Sequence, residues 1–136
     1  MIIEIPGEPV AQKRHRHYSG KNFNTIYNPC AKEKEIAQKY MIANMKVGIL
    51  IEAGNPVSLK IKFCIKIPES WSARKKLRTV GSPCTKRPDI DNYIVFIFNA
   101  MSGIIFHDDA QICEISAIKL FDFEPKTIIH VNEKGD

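Results

Sequence analysis

The sequence predicts an α+β fold, a small mixed β-sheet backed by helices, in a single domain spanning residues 1–136. Three observations lead there. Val57 to Ile67 alternates apolar and polar residues with the period of a half-buried strand. Two segments with helical spacing and stop signals separate that strand from its neighbours. Strand-like stretches also stand at both ends of the chain, giving the order β, α, β, α, β, β. The composition, 44% apolar and 26% charged over 136 residues, is that of one globular core and excludes wholesale disorder.

Taken in order, Ile2 to Ile5 is a short strand closed by the turn signal Pro6-Gly7. Residues 11–27 are polar, basic and turn-rich, and read as an exposed loop or arm. Pro29 to about Ala53 reads as a helix, with Pro29 at its first position and Ile36, Tyr40, Ala43 and Val47 on its apolar face. Gly54-Asn55-Pro56 ends it. In the strand that follows, Val57, Leu59, Ile61, Phe63, Ile65 and Ile67 face one side. A polar connection then holds a short helix around Ser72 to Leu77, and a second helix runs from about Ile90 to Met101 with Gly103 as its stop. That helix is apolar nearly all round, which calls for burial on more than one side and makes a homodimer interface a sensible second partner. Ile112 to Phe123 and Thr127 to Val131 close the domain as paired strands.

Cys30, Cys64, Cys84 and Cys113 are scattered, with no Cys/His cluster at zinc spacing, as expected of free thiols in a reduced cytoplasmic protein. No apolar run is long enough to span a membrane, and nothing points to a small-molecule organic cofactor. The formal charge is +5, and it is segregated. From Ile61 to Arg87 eight basic residues oppose Glu69 alone, whereas from Pro88 onward nine acids oppose three bases. Cations that hold phosphates beside carboxylates that hold a metal are what a metal-dependent nuclease requires. A solvated basic loop beside a solvated acidic end would give the same counts.

Asp89-Ile90-Asp91-Asn92 stands at the mouth of the second helix, and Asp108-Asp109 follows it. Asp89 and Asp91, two residues apart on an extended approach, project to one side. The turn at Gly103 lets Asp108 or Asp109 return toward them. Converging carboxylates either raise a pKa or hold a hard divalent cation such as Mg²⁺. The plain alternative is Asp91 as a helix cap and Asp108-Asp109 as a turn.

Lys86-Arg87-Pro88-Asp89-Ile90-Asp91-Asn92, Asn99-Ala100-Met101-Ser102-Gly103 and Asp108-Asp109-Ala110-Gln111-Ile112 together resemble the RusA family of Holliday junction resolvases. The resemblance extends to Pro6 through Gln12 and to Ile67 through Ser72, in family order. It implies a small α+β homodimer that uses Mg²⁺, or alternatively Mn²⁺, to cut four-way DNA junctions by paired symmetric nicks. Carried over by position, it makes Asp89, Asp91 and Asp109 the catalytic, metal-binding acids. Lys13, Arg14, Arg16, Arg74, Lys75, Lys76, Arg78, Lys86 and Arg87 are the candidate DNA contacts. One departure matters: the family usually has a lysine one helical turn after the second acid, where this chain has Val95, and Asn99 stands where Asp is common. Either Lys86, Lys119 or Lys13 supplies the missing cation, or the protein is a catalytically weakened junction binder. A metal-dependent nuclease for other branched DNA is the remaining alternative.

Overall fold

A computed structural model of the chain describes residues 1–14, 16–19, 24–45 and 50–134. A four-stranded sheet forms the centre, built from β1 (Ile2–Pro6), β4 (Val57–Lys66), β5 (Ile112–Asp122) and β6 (Lys126–Glu133) in the order β1-β6-β4-β5. β4 and β5 pair in parallel and the other pairs are antiparallel, so the sheet is mixed and the α+β class holds. Parallel neighbours need a crossover. Here it carries α2 (Ala73–Thr79) and α3 (Ile90–Met101).

β4 has the alternation its sequence dictates: Val57, Leu59, Ile61, Phe63 and Ile65 are all buried on the helix-covered face. Ile3, Ile129 and Val131 from the neighbouring strands join them. The opposite face carries the exposed Lys60, Lys62 and Lys66. α3 covers the core side with Tyr93, Phe96, Ile97, Ala100 and Met101, and the Tyr93 ring stacks on Phe63 at 5.1 Å between centroids. Ile94 and Phe98 are half-buried at the edge of that face, and Val95 is 44% exposed. Gly103 ends α3 at φ +83°, a left-handed conformation that glycine adopts without steric penalty.

Two expectations are corrected. The expected element order lacks a strand pair inside residues 11–27, where β2 (Arg16–Ser19) and β3 (Asn24–Tyr27) form an antiparallel ribbon. The β-formers Tyr18, Thr25, Ile26 and Tyr27 favour that pairing even though the overall composition is polar. The first helix, α1 (Ala31–Asn44), is shorter than expected: Cys30 rather than Pro29 precedes it, and Met45 leaves the helical conformation. Its buried side is also different. Ala37 and Met41 pack inward, whereas Ile36 and Tyr40 are exposed; Val47 lies outside the described residues. α1 bears two apolar stripes, and the one with the small Ala37 allows close approach to β1 and α3.

Candidate metal and nucleic-acid site

Asp89 is the residue preceding α3, with extended backbone, but its side chain makes no capping hydrogen bond. Its carboxylate is 61% exposed and lies 3.7 Å from the Arg87 guanidinium. Asp91 follows in the first helical turn, also exposed, so neither acid is used up as a cap. The positive end of the α3 dipole favours both charges.

The segment leading to these acids is anchored to β5. Gly81 N donates to Phe121 O, Phe121 N to Ser82 O and Cys84 N to Lys119 O. Beyond that ladder the Lys119 side chain continues the attachment. Its ammonium donates to Lys86 O at 2.7 Å and to Pro88 O at 2.9 Å. The Arg87–Pro88 peptide bond between them is cis.

A second strap crosses α3 further along. Gln12 N donates to Asn92 O at 3.0 Å, and Gln12 Oε1 accepts from the Asn99 side chain at 3.2 Å. Its Nε2 donates to Asn28 Oδ1 and to Lys13 O. Lys13 and Arg14, both exposed, follow Gln12 directly in the chain. The side chain of Arg16 falls outside the described residues.

Asp108 and Asp109 lie elsewhere. Asp108 accepts from Ala110 N and starts the short 3₁₀ turn Asp109–Gln111. Gln111 Oε1 accepts from His107 N at 2.9 Å and Asp108 N at 3.1 Å, completing a reciprocal cap. Its Nε2 donates to Glu52 O and Asn55 O at 2.8 and 3.0 Å, fastening the turn to the preceding loop. The two neighbouring carboxyl groups influence each other: the contact with Asp108 pushes Asp109 above the ordinary carboxylate range and holds Asp108 below it.

The two acidic groups do not meet within a single protomer. α3 separates them by its 12 residues, about 18 Å at the helical rise. Along β5, Lys119 beside the Asp89 loop lies about 23 Å from Ile112, which follows the Asp109 turn, at the usual rise per strand residue. Among the described residues, no three metal-binding side chains converge. The expected return of Asp109 toward Asp89 and Asp91 therefore does not occur inside one copy. The donor chemistry still fits a hard divalent cation: the candidate ligands are all carboxylate oxygens, and Asp89 and Asp91 are exposed with no capping bond on Asp89.

The basic residues sort by their engagements. On α2, Lys75 Nζ lies 3.8 Å above the Trp71 ring, which itself packs on Phe121, and Lys76 pairs with Glu69 at 3.7 Å. Arg74, Arg78 and Lys86 are exposed and make no ion pair among the described residues. The Lys119 ammonium is held by two carbonyls and makes no ion pair among the described residues. Sequence reasoning passed over Gln111 and Gln12 as working residues. The Asp108-x-x-Gln111 spacing is a capping-box signature that points to the first. Nothing local marks the second, whose partners are up to 87 residues away.

A mixed sheet backed by α3 thus carries an exposed acidic pair at the mouth of that helix, reached through a basic segment. A family model described as Endodeoxyribonuclease RusA matches residues 6–132, and the chain belongs to that family. It is also 32% identical over 135 residues to YqaN, an uncharacterised protein of Bacillus subtilis (strain 168), with 95% of this chain and 93% of that protein covered. Membership implies an endodeoxyribonuclease that works on Holliday junctions with a divalent metal. No helix among the described residues is long and apolar enough to cross a membrane.

Proposed function

We propose that the protein is a Mg²⁺-dependent endonuclease that cuts four-way DNA junctions as a homodimer, with each metal site assembled from two copies. Asp89 and Asp91 of one copy would hold the metal together with Asp109 of the other. The observation that carries this reading is the separation of the acids by the length of α3, which leaves each protomer with an incomplete set at either end. A twofold axis that brings unlike ends together makes two equivalent sites at once. When bound, the divalent ion supplies an activated water and neutralises charge at the scissile phosphate. Asp89 and Asp91, free of capping bonds, offer oxygen ligands. Arg74, Arg78 and Lys86 offer unpaired charge to the phosphate backbone, and Lys13 and Arg14 are exposed as well. Mn²⁺ has the same donor preferences and is expected to substitute.

Mixed dimers provide the test. Asp91→Asn and Asp109→Asn proteins, each inactive alone, are mixed, exchanged and assayed on a synthetic four-way junction with Mg²⁺. If the sites span two copies, the mixed dimer keeps one intact site and recovers single nicks. If each site lies within one copy, both sites of the mixed dimer are broken. No recovery in a verified mixed dimer therefore refutes the composite site. Failure of the wild-type protein to nick any junction refutes the nuclease itself.

A weakened junction binder is the second reading, and the exposed Val95 one turn beyond Asp91 favours it. It predicts tight junction binding without nicks in the same assay.

A further inference from the structure

We infer that Lys119 is a positioning residue for the carboxylate pair, holding the Lys86–Asp89 approach at the height on β5 where Asp89 and Asp91 can serve a metal; the assignment rests on the proposed nuclease function. Lys119 engages alternate residues of the approach with both halves of its structure. Its carbonyl accepts from Cys84 N, and its ammonium donates to Lys86 O and Pro88 O.

The backbone ladder between this segment and β5 includes Gly81, Ser82 and Cys84, whose partners are Phe121 and Lys119. From Lys86 to Asp89 the chain has no described backbone bond to the sheet, and Lys119 Nζ replaces one. Pro88 has no N–H with which to add another.

Its neighbours leave this side chain no alternative charge partner. Lys119 pairs in register with Phe63, whose ring is covered by Tyr93 at 5.1 Å, so the alkyl stem runs beside an aromatic stack. Among the described residues no carboxylate lies within ion-pair distance of its ammonium. A full positive charge directed at two carbonyls makes stronger hydrogen bonds than a neutral donor would. Because Asp89 is the next residue after Pro88, its Cα is fixed one peptide unit from a clamped carbonyl. Two of the three ammonium donors are thereby engaged in holding the approach.

Three variants of the full-length protein test this: Lys119→Met, which keeps the stem and removes the donors, Lys119→Gln, and Lys119→Arg, which can still reach two acceptors. Amide hydrogen exchange in metal-free buffer is followed for residues 85–91 and for β4 and β6. Mn²⁺ binding is followed by electron paramagnetic resonance, and junction binding by gel shift without metal. In Lys119→Met, exchange over 85–91 is expected to rise at least tenfold while β4 and β6 are unchanged. Mn²⁺ affinity is expected to fall about tenfold, junction binding to stay within twofold, and Lys119→Arg to recover most of the metal affinity. Unchanged exchange over 85–91 overturns the clamp. Faster exchange with undiminished Mn²⁺ affinity overturns its positioning role, as does loosening of the entire sheet. A wild-type protein that binds no Mn²⁺ overturns the metal-nuclease reading, and the role of Lys119 with it. Wild-type binding that survives in Lys119→Met overturns the role of Lys119 alone.

Discussion

Replacing Gln111 with Ala removes four hydrogen bonds from the turn that carries Asp108 and Asp109: two accepted from His107 N and Asp108 N, and two donated to Glu52 O and Asn55 O. A net contribution of about 1 kcal/mol applies to an average bond, and the more solvent-facing of these deserve less, so the loss is about 2–3 kcal/mol. For a domain of 136 residues each kcal/mol moves the midpoint by about 3–4 °C, placing the shift at roughly 6–12 °C. Thermal melts by circular dichroism, run at one protein concentration so that any dimer linkage is constant, read it directly. Gln111→Glu sharpens the test. A glutamate keeps both acceptors but, when ionised, cannot donate to the two carbonyls, and it adds charge beside Asp108 and Asp109. Its folded-state pKa is therefore raised above the unfolded value. Stability held by the protonated form is lost as pH rises through that raised pKa, so the deficit relative to wild type must shrink as the pH is lowered. A midpoint for Gln111→Ala within 2 °C of wild type would show that water replaces these bonds and that the turn holds itself.

Val95→Lys places an ammonium on the α3 stripe between Asp91 and Asn99, at a site exposed enough that stability should change by less than about 0.5 kcal/mol. With the Lys119 ammonium held by two carbonyls, we expect junction cleavage to accelerate about tenfold, since an added cation would face charge developing at the phosphate. An unchanged rate would mean that Lys13, Arg14, Lys86 or Lys119 already serves. The thiols make a pH-dependent prediction. Cys113 is exposed whereas Cys30, Cys64 and Cys84 are buried, and burial, reinforced by the nearby Asp122, pushes the Cys64 thiol up. Only thiolate reacts, so a disulfide reagent at pH 8 should label Cys113 rapidly and the others slowly. Cys64 should gain reactivity last as pH rises. A second fast thiol surviving in Cys113→Ser would contradict this burial pattern.

Much of the fold was legible because its signals are local. The alternation in β4 dictates which face is buried, whereas the nearly all-apolar run of α3 leaves its inward face open: Ile94 and Phe98 are only half-buried while Tyr93 and Phe96 pack inward. α1 was misread because its apolar residues lie on two stripes, and periodicity cannot say which will meet β1. The β2–β3 ribbon was missed because polar composition masks pairing that depends on a handful of β-formers.

The candidate site divides in the same way. Residue types and short spacings pick out Asp89, Asp91 and either Asp108 or Asp109 as candidate oxygen donors for a hard cation, and it is the family resemblance that selects Asp109. Their meeting point depends on the fold. The Gly103 turn suggests a return of Asp109 toward Asp89, but α3 runs for 12 residues and the turn that carries Asp109 docks at the Glu52–Asn55 loop. The eight residues from Met101 to Asp109 are long enough to return along the helix, so it is the docking of the turn that keeps Asp109 away from Asp89 and Asp91. The geometry that disappoints the single chain is therefore informative about the assembly. In the proposed dimer, a second copy in opposite orientation would bring Asp109 to Asp89 and Asp91 without deforming α3. Val95 and the half-buried Ile94 and Phe98, which leave apolar surface beside Asp91, would then lie close to where such a copy must approach.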